Sequence, residues 1–89
     1  MALLDAHRIS DYEKAADKGL PDAQFNLGLA YSTGKGVPLD YVTAHKWLNL
    51  AAVKGSEEAR QLRCELAASM STQEIAEAQR LAREWMSTH

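Results

Sequence analysis

Wherever apolar residues cluster in this chain, they recur at helical spacing. Between Asp22 and Thr33, Ala23, Leu27, Ala30 and Tyr31 fall at i, i+4, i+7 and i+8, which aligns them on one face of an α-helix. From Asp40 onward, Tyr41, Ala44, Leu48, Ala51 and Ala52 form a second stripe, widened by Trp47. A third piece turns Ala59, Leu62 and Leu66 inward. In a fourth, Ile75, Ala78, Ala82, Trp85 and Met86 oppose a charged face of Glu77, Arg80, Arg83 and Glu84. No segment alternates in the manner of a strand. Breaks at Gly19-Leu20-Pro21, at Gly34-Lys35-Gly36-Val37-Pro38, at Gly55 and at Ser69-Met70-Ser71 therefore divide the chain into five helical pieces.

The ends of these pieces carry their own signals. Asp40 and Ser56 are N-cap residues, and Glu57 and Glu58 follow Ser56 in the first turn, where a helix favours negative charge. Ser71-Thr72-Gln73-Glu74 reads as a capping box. Lys18-Gly19 and Lys54-Gly55 are the same stop signal, a basic last turn followed by a glycine that accepts the left-handed conformation. These stops belong to a longer repetition, since Ala15-Ala16-Asp17-Lys18-Gly19 recurs as Ala51-Ala52-Val53-Lys54-Gly55, 36 residues on. The same shift carries Tyr12 to Leu48, Asp22-Ala23 to Glu58-Ala59 and Ala30 to Leu66.

Ala23 to Tyr31 with its Leu27-Gly28-x-x-Tyr31 core, the loop Gly34-Lys35-Gly36-Val37, Asp40, Ala44-x-x-Trp47 and Ala51-Ala52-x-x-Gly55 together resemble the Sel-one-like repeat, a relative of the tetratricopeptide repeat. The period and the Gly-x-Gly-Val loop match this type better than the shorter tetratricopeptide one. One complete repeat spans residues 22–55. Residues 1–19 form a helix resembling the end of a preceding repeat, and residues 56–69 resemble the first helix of a following one. Residues 72–88 depart from the pattern and look like the long final helix that closes short bacterial members of the family. The resemblance implies an all-α fold, an α-α superhelix of about five antiparallel helices or two and a half hairpins. It also implies protein or peptide ligands in the groove lined by the first helix of each pair.

Physical roles follow for the signature positions. Gly28 lets a neighbouring helix approach closely, Gly34 and Gly36 permit positive φ in the loop, Val37 plugs the space beneath it, and Tyr31 and Trp47 wedge between helices.

Composition narrows the function without specifying it. With 89 residues, 46% of them hydrophobic, the chain has room for one core, so a single domain is expected. A net charge of −2 gives no electrostatic reason to bind nucleic acid, which needs clustered Lys and Arg. No apolar run reaches the length of a membrane span, and Met1-Ala2-Leu3-Leu4-Asp5 meets an acid before a signal-peptide core forms; a cytoplasmic protein without membrane insertion is expected. Cys64 has no second cysteine, and His7, His45 and His89 have no His or Cys partner at i+3 or i+4, so neither metal nor cofactor is expected. His45 reads as a helix-surface residue beside Trp47.

Ser32-Thr33-Gly34-Lys35 satisfies the Ser-x-x-Lys pattern of penicillin-recognising enzymes, but it ends a helix where that motif starts one, and the companion motifs are missing. A phosphate loop fails as well, because Gly36 follows Lys35 where Ser or Thr is required. The chain therefore reads as non-catalytic, with no catalytic residue and an adaptor function. A homo-oligomeric structural unit is the alternative, since an array this short can complete itself by self-association, and a Ser32-dependent hydrolase is the remote one.

Opposite the Ala23–Leu27 arc of the second helix lie Asp22, Phe25, Asn26, Leu29 and Thr33. Phe25 and Leu29 either pack against neighbouring helices or form a patch that a partner covers. Phe25, Asn26, Leu29 and Thr33 are the expected partner-binding residues.

Overall fold

The computed structural model describes residues 6–89, with side chains from Arg8 onward; the Met1–Asp5 segment and the His7 side chain lie outside what is described. Five α-helices follow one another: α1 (Ala6–Asp17), α2 (Pro21–Thr33), α3 (Tyr41–Val53), α4 (Glu57–Ala67) and α5 (Thr72–Thr88). The described residues contain no strand.

Local chemistry explains each boundary. Both Lys-Gly stops form the same hydrogen-bonded end. Gly19 (φ 89°) donates to the Ala16 carbonyl at 2.9 Å, and Leu20 to that of Ala15 at 3.2 Å. Thirty-six residues on, Gly55 (φ 100°) donates to Ala52 at 3.0 Å, and Ser56 to Ala51 at 3.1 Å. This is the Schellman pattern, which satisfies carbonyls that a helix end leaves without partners. Starts are equally explicit. Asp40 Oδ1 accepts from the Thr43 amide at 3.1 Å and Ser56 Oγ from that of Ala59 at 3.2 Å. The Ser71–Glu74 box closes in both directions, at 3.0 and 2.8 Å. Such caps contribute on the order of 1 kcal/mol each.

α3 is the centre of the molecule, with α2, α4 and α5 all packed against it. One cluster joins Ile9, Leu27, Trp47, Leu50 and Ala82, with Tyr12, Val37 and Trp85 against its edges. The other gathers Ala44, Leu48, Ala51, Ala59 and Leu66, with Phe25, Leu62 and Met70 beside it. Tyr31 touches both. Because the α2–α3 approach leaves no room for a side chain at Gly28, a Cβ there would sit 2.5 Å from Leu48 Cδ2 and 3.3 Å from the Ala44 carbonyl. α5 lies along α3 and carries Trp85 edge-on to Trp47, with ring centroids 6.3 Å apart. Trp85 in turn stacks on His89, while the Lys54 ammonium donates to the Gly19 carbonyl at 2.6 Å and lies 5.9 Å from the Trp85 ring.

Two expectations are overturned. His45 is not a surface residue but is buried, 3% exposed, because α3 has neighbours on three sides. Met86 does not join the inner face of α5: it is 42% exposed, and Leu81 is half-buried instead. Three buried residues went unread, Ile9, Leu50 and Gln24. Gln24 Nε2 donates to the Ala16 carbonyl at 3.2 Å, tying α2 to the end of α1.

Candidate protein-binding face

The four α2 residues expected to meet a partner do not form one patch. Phe25 is half-buried and packs into the cluster between α3 and α4. Asn26, on the opposite flank, lines a cleft of about 330 Å³ with Tyr12, Ala15 and Leu20, between α1 and the start of α2. Leu29 is half-buried between these flanks. Thr33 is exposed at the helix end, but its hydroxyl donates to the Leu29 carbonyl at 2.9 Å, so its methyl group and the two lone pairs of its oxygen are what it can offer a ligand.

The outward line of α2 is thus Asp22, Leu29 and Thr33, flanked by Asn26. The 36-residue shift that relates the helix stops relates this line to Glu58, Leu62 and Glu65 of α4 and to Ser69 in the turn just beyond it. Glu58, Glu65 and Ser69 are exposed, Leu62 is half-buried, and α2 and α4 are in contact. As binding positions these residues went unread from the sequence, where Glu58 is placed as a first-turn charge and Leu62 turned inward, although the repeat register points to them. At the start of the two helices, Asp22, Lys54, Glu57 and Glu58 border a second cleft of about 330 Å³. The face carries three exposed carboxylates, Asp22, Glu58 and Glu65, and Lys54 is engaged with Gly19.

The other signature positions serve the frame. Ala23, Leu27, Ala44, Trp47 and Ala51 are buried, Tyr31, Val37 and Ala52 half-buried. Gly34 (φ 75°) and Gly36 (φ 83°) shape the loop before Asp40. Burial raises the Tyr31 phenol above its ordinary pKa, with Glu13 and Asp40 adding to the effect. Burial lowers His45, and the nearby Arg63 charge lowers it further.

The Ser32–Lys35 pair has the wrong geometry for a nucleophile and base. Ser32 Oγ donates to the Leu29 carbonyl at 2.9 Å, and Lys35 is exposed in the loop beyond. Among the described residues, no group of three or more His, Cys, Asp or Glu side chains is placed to hold a metal ion.

Comparison with known proteins accounts for this arrangement. The Sel1 repeat family model matches residues 12–20 and 21–56, more than half of the chain. The chain is also similar to Chitin synthase regulator SKT5 of Saccharomyces cerevisiae, 45% identical over 49 residues that cover 55% of this chain. It spans only 7% of that protein's length. The matched segment contains both Lys-Gly stops and the α2–α3 hairpin that joins them, and on that basis the chain belongs to the Sel1 repeat family.

Proposed function

We propose that this chain is a non-catalytic adaptor that holds an extended segment of a partner protein along the adjoining outer faces of α2 and α4. Sel1 repeats generally mediate protein–protein interaction. The observation that carries the reading here is the register of two outward lines, Asp22–Leu29–Thr33 on α2 and Glu58–Glu65–Ser69 along α4 and the turn after it. One apolar side chain, several polar groups and a surplus of carboxylates are left over once the cores beneath are complete. That chemistry suits a segment with an apolar anchor for Leu29 and Lys or Arg residues for the carboxylates, which would make binding weaker at high salt. In the yeast relative, the name assigns the whole protein to regulating a chitin synthase; a recruiting role of that general kind is what we propose for this module. Among the described residues no helix is long and apolar enough to cross a membrane.

Affinity purification from cells expressing the protein tests the reading. Leu29→Glu combined with Glu65→Arg should lose a partner that the parent chain retains, with the far-UV circular dichroism spectrum unchanged. Identical sets of retained proteins for parent and variant would exclude this face.

A further inference from the structure

The last turn of α5 is tied to the end of α1 through one carboxylate oxygen. Trp85 Nε1 donates to Asp17 Oδ1 at 3.4 Å, and His89 Nε2 lies 3.1 Å from the same atom. The His89 ring covers one face of the Trp85 indole, with centroids 4.0 Å apart and planes 10° from parallel. Its other nitrogen, Nδ1, lies 2.9 Å from the Trp85 carbonyl oxygen. A carbonyl and a carboxylate only accept hydrogen bonds, and a neutral imidazole has a single N–H. Either neutral tautomer therefore turns a ring lone pair toward one of these two oxygens, whereas the doubly protonated ring donates to both. The Thr88 hydroxyl, 3.0 Å from Nδ1, can serve a neutral ring as donor, but it leaves the Trp85 carbonyl facing the same lone pair.

We infer that His89 is a proton-dependent clasp: with both nitrogens protonated it pins the last turn of α5 to α1, and on losing one proton it swings away and uncovers Trp85. The surrounding charges decide the sense of the switch by distance. Asp17 supplies a negative charge from α1 at hydrogen-bonding range. Lys46 and Lys54 oppose a further positive charge, but Lys46 lies over the Trp47 ring, and Lys54, 5.9 Å from the Trp85 ring, is bonded to the Gly19 carbonyl. On α5 itself, Glu84 is paired with Arg80. The indole adds to the same preference, since its negative π-face attracts a cation stacked on it. Leu29, Glu58 and Glu65 of the adaptor face take no part in these contacts, so the clasp stands or falls independently of that face.

Nuclear magnetic resonance of the whole chain at about pH 5.5 and pH 8 tests the clasp, over a span that crosses ordinary histidine titration and stays above that of carboxylates. At the lower pH, Overhauser contacts should join the His89 and Trp85 rings, and the indole should shift the His89 ring protons upfield. At the higher pH the closed population should fall about threefold, the scale of a partly exposed ion pair, and the Trp85 Nε1–H signal should move. His89→Gln should abolish that movement. Asp17→Asn should reduce it, because an amide donates or accepts and so meets either form of the ring. His45→Ile should leave it intact. Asp17 and His89 are exposed, so neither substitution removes core packing. Ring contacts that are equal at both pH values, absent at both or stronger at the higher one would overturn the inference. So would a Trp85 signal that still moves in His89→Gln.

Discussion

Positions one repeat apart in this molecule carry opposite chemistry. In the first half, Ile9 and Leu27 are buried in the cluster that α1, α2 and α3 share. The 36-residue shift carries them to His45 and Arg63. His45 is as buried as Ile9, at 3% against 4%, yet among the described residues its Nδ1 has no hydrogen-bond partner. Arg63 is half-buried and donates to Asn49 Oδ1 at 2.6 Å. The helix ends that frame the two halves are alike down to their hydrogen bonds, so backbone geometry does not dictate the interior. A repeat fixes the path of the chain and leaves the cohesion of each layer to the side chains. Buried apolar area favours folding at roughly 25 cal/mol per Å², whereas a buried imidazole without a full set of partners works against it. The α1–α3 layer should therefore hold the fold together more strongly than the layer between α3 and α4.

Truncating equivalent positions is the sharpest way to break that comparison. Leu27→Ala removes a completely buried side chain from the shared core and should cost about 2–5 kcal/mol in urea unfolding. Arg63→Ala should cost less than about 1.5 kcal/mol, because it loses one hydrogen bond at a half-exposed site. Equal losses would show that the polar layer is as cohesive as the apolar one.

Smaller effects test what joins the halves. Gly28→Ala gains about 1 kcal/mol of helix propensity but forces a methyl group into Leu48, which is completely buried and cannot retreat. Overpacking of this kind costs roughly 1–3 kcal/mol, so a net loss near 1 kcal/mol is expected by thermal or urea unfolding. Lys54→Met keeps the aliphatic stem and deletes the bond to the Gly19 carbonyl, and about 0.5–1.5 kcal/mol should be lost. In the same variant, the near-ultraviolet circular dichroism of Trp85 should change, since the ammonium lies beside that ring.

What the sequence disclosed and what it hid divide along the same physical line. Helix ends are decided by residues close in sequence, which is why Ser71 with Glu74, Asp40, and the two Lys-Gly stops were legible. Lateral burial is decided by distant neighbours. One apolar stripe was visible on α3, but three helices surround it, so His45 and Leu50 are buried outside that stripe. Met86 and Leu81 were exchanged for a related reason: both lie near the apolar arc of α5, and only contact with α3 decides between them. Gln24 gave no sign that it would be buried, because the carbonyl it meets belongs to α1. At the candidate face, periodicity grouped Phe25, Asn26, Leu29 and Thr33 on one arc. It could not show that α4 claims one edge through Phe25, or that Asn26 opens onto a cleft beside α1.

The subtlest expected difference between the two layers is their response to acid. Burial and then the Arg63 charge lower the His45 pKa below its ordinary 6.5, so the unfolded chain binds a proton there more readily than the folded one. The sign follows directly. Above about pH 6.5 the imidazole is neutral in both states and costs nothing further; as pH falls below that value, protonation favours unfolding until the folded-state pKa is also passed. Carboxylates contribute their own losses mainly below about pH 5, and comparison with a variant at this one position separates His45 from the chain's other two histidines. His45→Ile places at this position the residue found one repeat earlier, and the drop in melting temperature between pH 7.5 and 5.5 should shrink in that variant. An unchanged drop would mean that His45 rotates into solvent when it takes up a proton, so that its layer opens locally before the rest of the molecule unfolds.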